Sequence, residues 1–274
     1  MTGENNASRT NAPGTNEPGA NEPMSKQCEA GFCESRREPL ADYLANRDFV
    51  SSTQLRRFDK SGLTASQLAD GGLVTGTVMG EALHALVLEP EVFSQQYLVL
   101  ADADHDRRAP SEAELMRRIW LDAWQWSALS YARDALLACS QAPVADWLSA
   151  GNKELSIYWI DEVGARWKAR PDCFTRGIVL DLKTTSDCRP DAFKRTREHF
   201  GYDLQAAHYV EAVTRLTGST PQFAFLSVEL SAPYSVWVHE LEAGEIRAAR
   251  LLLDQLKHAY IAASKTAGDA AGSA

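Results

Sequence analysis

The hydrophobic pattern of this chain changes period at residue 153, and that change limits what it can fold into. Upstream, apolar residues recur at helical spacing. Beyond it, Lys153–Ile160 (KELSIYWI), Ala165–Phe174 (ARWKARPDCF) and Gly177–Thr184 (GIVLDLKT) read as three consecutive strands. Short turns at Asp161–Gly164 and Thr175–Gly177 join them. In the third strand, alternation places Ile178, Leu180 and Leu182 on one face and Val179, Asp181 and Lys183 on the other. An acid and a lysine thus interrupt an apolar strand on a single face. Ionised groups are rare in a central strand unless they are paired or bind a metal.

The flanking segments are helical. Ser52 is expected to cap a helix through Phe58, and a short helix follows from Thr64. From Thr77, Met79, Ala82, Leu83, Leu86 and Val87 form a helical stripe that Pro90 ends. Ser111–Leu129, Tyr131–Cys139 and Val144–Leu148 read as packed helices. After the meander come helices Pro190–His199 and Asp203–Leu216, strands Gln222–Leu230 and Ser235–Glu240, and a closing helix Ala243–Ala262. This order predicts one α/β domain, a mixed sheet covered by helices, with extra helices at its N-terminal side. It has neither the G-x-G-x-x-G loop of a dinucleotide fold nor a Walker A loop. Residues 1–38, rich in Asn, Gly, Pro, Glu and Ser, are expected to be a disordered tail. The domain is expected at 39–263, and a second flexible tail at 264–274.

Composition narrows the class. With 274 residues, 45% hydrophobic and 24% charged, the chain is globular rather than fibrous or wholly disordered. No apolar run reaches the roughly 18 residues of a membrane span. The opening MTGENNASRT has no basic and apolar leader pattern, so a cytoplasmic location away from membranes is expected. The five cysteines (Cys28, Cys33, Cys139, Cys173, Cys188) are odd in number and form no C-x-x-C pair, which argues against a disulfide framework or a zinc or iron–sulfur site. The net charge of −9 argues against general nucleic-acid binding. Residues 165–197 run the other way, with nine Lys or Arg against four Asp. Phosphate contacts need only such a local basic surface.

Asp172 lies nine residues before Asp181 across a tight turn, so a hairpin can bring the two carboxylates together. Two carboxylates make a hard oxygen site suited to Mg²⁺ or Mn²⁺. A neighbouring ammonium, Lys183, can orient a water or steady developing negative charge. The competing reading is a salt-bridged Asp–Lys pair on an edge strand. Gln205 and Tyr209, one helical turn apart, share a face and can reach one phosphate or base edge, or else form ordinary helix surface. Glu81 and Glu154 are open as further acids or as solvated surface.

The run Pro171-Asp172 … Asp181-Leu182-Lys183 resembles the signature of the PD-(D/E)XK nuclease superfamily, which implies a restriction-endonuclease-like fold. More narrowly, three stretches are similar to the RecE-type nuclease domain of exodeoxyribonuclease VIII and its phage-encoded relatives. They are Gly80-Glu-Ala-Leu-His84-Ala-Leu-Val-Leu-Glu-Pro90, Lys168-Ala-Arg-Pro-Asp172 and Gly201-Tyr202-Asp-Leu-Gln205-Ala-Ala-His-Tyr209. The resemblance covers residues 40 to 262. It implies that Asp172, Asp181, His84 and the Leu182 carbonyl bind Mg²⁺ or Mn²⁺, and that Lys183 contacts the attacking water or scissile phosphate. Gln205 and Tyr209 join them in the site. It further implies an exonuclease acting on linear double-stranded DNA ends. Cutting would run 5′-to-3′ and leave 3′ overhangs for a RecT-type annealing protein, and the enzyme would be a ring-shaped homo-oligomer. An endonuclease or single-strand nuclease of the same superfamily, or a weakly active DNA-end-binding module, stands as the alternative.

Overall fold

A computed structural model describes residues 31–63, 77–100, 117–175 and 177–272, with side chains described as far as residue 266. In chain order the elements are β1 (Cys33–Arg36), α1 (Leu40–Ala45), α2 (Ser52–Ser61), α3 (Val78–Leu88), α4 (Pro90–Gln96), β2 (Tyr97–Leu100) and β3 (Ile119–Asp122). Helices α5 (Ala123–Leu137) and α6 (Val144–Ala150) lead into strands β4 (Asn152–Lys153), β5 (Ser156–Ile160), β6 (Arg166–Ala169), β7 (Cys173–Thr175) and β8 (Ile178–Thr185). Then follow α7 (Pro190–Phe200), α8 (Tyr202–Thr217), β9 (Gln222–Glu229), β10 (Val236–Leu241) and α9 (Ala243–Gly272).

The expected α/β architecture with a mixed sheet is present. Its five strands run in the order β10-β9-β8-β7-β4, and β8 and β9 are parallel while the other pairs are antiparallel. A smaller sheet, β1-β5-β6, is wholly antiparallel. The two expected strands Lys153–Ile160 and Ala165–Phe174 are each split between these sheets. The first breaks at Glu154, which takes a left-handed φ of 48°, and the second breaks across Arg170-Pro171-Asp172. The two breaks lie side by side, because Glu154 N–H donates to the Asp172 carbonyl at 3.1 Å.

The faces of β8 divide as alternation dictates. Ile178, Leu180 and Leu182 pack into an apolar cluster with Leu83, Leu86 and Val87 of α3, Leu129 and Leu136 of α5, and Leu148 of α6. Val179, on the opposite face, joins a second cluster with Ala206, Tyr209 and Val213 of α8 and Leu253 of α9. Helix layers therefore cover the sheet on both sides.

Several boundaries differ from expectation. Ser51, not Ser52, caps α2 through a reciprocal capping box with Gln54. Pro90 does end α3, but it also opens α4 as its first residue, where its missing N–H costs nothing. Ile119–Asp122, expected within a long helix, is a strand paired in parallel with Tyr97–Leu100; Asp122 then caps a single helix to Leu137. Cys33–Arg36, expected in a disordered tail, is sheet, and the closing helix continues to Gly272. The expected helix from Thr64 and the start of the one from Ser111 lie outside the described residues. Among the described residues no helix is long and apolar enough to cross a membrane, and Cys33, Cys139, Cys173 and Cys188 are free thiols.

A buried ionic cluster ties α9 to α8. Glu211 Oε2 accepts from Lys257 Nζ at 2.6 Å, its Oε1 accepts from Arg215 at 3.2 Å, and the Lys257 ammonium lies over the Trp167 ring. Burial alone would raise the Glu211 pKa, but Lys257 and its neighbours hold it down to about 2. Burial lowers His208 to about 3. Both groups are depressed in the folded state, so their stabilisation is full near neutrality. It is lost as pH falls, from about 6.5 for His208 and from about 4.5 for Glu211. Glu211→Gln is therefore expected to remove about 3 kcal/mol at pH 7, since it strands Lys257. Melting curves from pH 7 to pH 3 should show a flatter acid loss in this variant than in the unmodified chain.

Candidate metal centre

The site forms where the two sheet crossovers meet the end of β8. Asp172, at the second crossover, accepts a 2.7 Å hydrogen bond on Oδ2 from the Leu182 N–H. This bond fixes the carboxylate against the strand that carries Asp181 and Lys183. Helix α3 closes over the same point. A Cβ added at Gly80 would lie 3.0 Å from Thr184 Oγ1, so the glycine allows the helix to lie directly on the end of β8. One turn further along, His84 Nε2 is 2.7 Å from the Leu182 carbonyl oxygen and Nδ1 is 3.5 Å from Asp172 Oδ2. The carbonyl can only accept, so Nε2 carries the proton in this arrangement.

A third acid belongs here. Ligand atoms of His84, Glu154 and Asp172 all lie within 4.8 Å of one another. Glu154 is brought in by its left-handed backbone at the first crossover, which the sequence pattern left open between a site acid and a surface acid. Glu81 contributes nothing to this group.

Asp181 sits one residue from the Leu182 carbonyl and is fully buried. Its Oδ1 accepts from Gln205 Nε2 at 3.1 Å, and its Oδ2 is ion-paired with Lys183 Nζ. Gln205 also donates to the Tyr209 hydroxyl at 2.9 Å, so both α8 residues form a clamp behind Asp181 rather than helix surface. Lys183 is reachable from solvent, lying over the Tyr202 ring at 4.9 Å.

Charge in the site is unbalanced. Burial pushes the Glu154 carboxyl up to about 8, with the Asp172 charge adding to it and Arg170 opposing it. Burial also raises Asp181 above the ordinary carboxylate range, although Lys183 pulls against that. Burial would weaken the Lys183 ammonium, but the Asp181 and Asp172 carboxylates more than compensate, and its pKa is raised. Burial keeps Tyr209 neutral. Three acids and a carbonyl oxygen converge with one ammonium and one imidazole, a donor set that fits a hard divalent cation.

The basic window is less open than its sequence suggests. Lys168 is buried, donating to the Tyr43 and Asn46 carbonyls at 2.5 Å. Arg170 is buried among acids, Arg197 pairs with Asp203 and Glu245, and Arg189 pairs with Asp187. Arg176 lies outside the described residues. Lys194 and Arg195 of α7 are exposed.

Residues 51–270 match the family model described as a PDDEXK-like domain of unknown function (DUF3799), and the chain belongs to that family. Its fold is similar to the crystal structure of a "Putative exonuclease" from Eubacterium rectale, with a TM-score of 0.55 and 13% identity over 83% of this chain and 88% of that one. A search of curated proteins finds no match. The fold is thus of the PD-(D/E)XK nuclease type, and these findings support nuclease activity.

Metal ligands must shed protons before they bind, so affinity here should depend on pH. Mn²⁺ affinity is expected to rise between pH 6 and pH 8.5 as Glu154 gives up its proton. Calorimetric titration across that range checks this. The rise in melting temperature on adding Mn²⁺ should vanish in Asp172→Ala and in His84→Ala.

Proposed function

We propose that this chain is a metal-dependent DNA exonuclease that hydrolyses phosphodiester bonds from linear double-stranded ends. The observation that carries the reading is the His84–Glu154–Asp172 cluster at the Leu182 carbonyl, beside a charged Lys183. His84, Glu154, Asp172 and the Leu182 carbonyl would hold Mg²⁺ or Mn²⁺, and Asp181 would complete the set once Lys183 turns towards the phosphate. The ion, when bound, would supply charge neutralisation at the phosphate and a water that gives up its proton more readily than bulk water does.

The chain's own groups do the rest. Lys183 presents an ammonium whose charge the flanking aspartates sustain, and on turning it would meet the negative charge that grows on the phosphate. Gln205 holds Asp181, and Tyr209 holds Gln205, so the lysine's anchor stays fixed during that change. Lys194 and Arg195, exposed on α7, would offer phosphate contacts to the bound strand.

Preference for ends over internal cutting draws support from the exonuclease naming of the Eubacterium rectale protein. The likeness to RecE-type domains extends the proposal. It suggests 5′-to-3′ resection, 3′ overhangs passed to a RecT-type annealing partner, and a homo-oligomeric ring in a cytoplasmic, phage-like setting. Digestion of a 5′-labelled linear duplex with Mg²⁺, beside a closed circle, tests the reading. Linear DNA should be degraded and the circle spared, while Lys183→Ala should lose about 10²–10³-fold in rate. Cutting of the circle would make it an endonuclease, and binding without cutting would make it an end-binding module.

A further inference from the structure

Arg170 takes no part in the chemistry above, yet its guanidinium joins four segments that surround the cation site. The side chain is 5% exposed. Its Nε donates to Glu154 Oε2 at 2.7 Å, and its Nη1 donates to the Glu38 carbonyl at 2.9 Å and to Ser156 Oγ at 3.1 Å. Its Nη2 lies 3.6 Å from Glu89 Oε1. Each partner belongs to a different part of the frame. Glu154 is the first sheet crossover, Ser156 opens β5, Glu38 follows β1, and Glu89 caps the C-terminal end of α3, the helix that carries His84.

The arrangement answers a specific electrostatic difficulty. Glu154 and Asp172 offer ligand atoms within 4.8 Å of each other, so two carboxyl groups face one another at close range. Like charges at that spacing repel, and an unheld glutamate would turn away. Arg170 takes one Glu154 oxygen in a charge-assisted bond and is itself fixed by two neutral acceptors. A ligand held in this way by a partner outside the cluster is the usual means of orienting a metal-binding carboxylate. A lysine has a single point of charge and cannot reach all four partners at once.

We infer that Arg170 is a positioning residue for the cation site, holding the Glu154 carboxylate in the geometry that binds a divalent ion. The inference rests on the reading of His84, Glu154 and Asp172 as that site.

Mn²⁺ binding to the full chain without DNA, followed by isothermal titration calorimetry, is the test. Arg170→Met should bind about 10–100-fold more weakly than the unmodified chain. Glu154→Gln should also bind weakly. The double variant should then be no weaker than Glu154→Gln alone, because both changes break one linkage. A purely structural role would instead give losses that add. Metal-free melting curves establish that each variant is folded. If Arg170→Met does not fold, Arg170→Lys goes through the same cycle, and it should also bind weakly because the fork is lost. Additive losses, or unmodified Mn²⁺ affinity in a folded Arg170 variant, would overturn the assignment. If the unmodified chain itself takes up no Mn²⁺, the cation-site reading falls instead.

Discussion

Asp172 is gripped from two directions, by the Leu182 N–H on its carboxylate and by the Glu154 N–H on its carbonyl. Those two bonds lock three separate stretches of chain at one point. One is the crossover at Glu154, one the crossover at Arg170-Pro171-Asp172, and one the end of β8. Two sheets that share crossovers so close together cannot slide past one another without breaking buried hydrogen bonds, and each such break costs about 1–3 kcal/mol. The groups that gather at this point inherit its rigidity. His84 arrives from above on α3 because Gly80 lets that helix rest on Thr184, and Gln205 and Tyr209 arrive from the opposite layer on α8.

The price of this convergence is electrostatic. Burying Glu154 and Asp181 beside Asp172 raises the first two, while Lys183 and Arg170 offset only part of the charge. Away from the site the chain handles buried charge differently. Glu211 has Lys257, Arg215 and Arg250 around it and is depressed rather than raised. The contrast separates an acid that is matched by surrounding cations from acids that are matched only in part. Acids whose pKa is raised by burial beside a specific charge partner are candidates for a functional site.

Much of this was legible in the residues. Period-two alternation placed Asp181 and Lys183 on one face of β8, and the apolar residues on its two faces do enter separate clusters. Helical spacing put Gln205 and Tyr209 on one face, and they do meet. The sheet crossovers were not legible. Residues 165–174 alternate as one strand would, and nothing in that pattern marks Arg170-Pro171-Asp172 as a passage between sheets except the proline itself. Glu154 was therefore ambiguous, since its place depends on a backbone turn that an unremarkable acid does not announce. The basic window misled for a related reason. Charge counting cannot tell an arginine that faces phosphate from one, such as Arg170 or Arg197, that is buried against acids.

Crystals of the full chain soaked in Mn²⁺ and measured at the manganese absorption edge would test the central claim most directly. An anomalous peak is expected within bonding distance of His84, Glu154, Asp172 and the Leu182 carbonyl oxygen, next to Lys183. A peak elsewhere, or an undisturbed His84–Leu182 contact at saturating Mn²⁺, would contradict it.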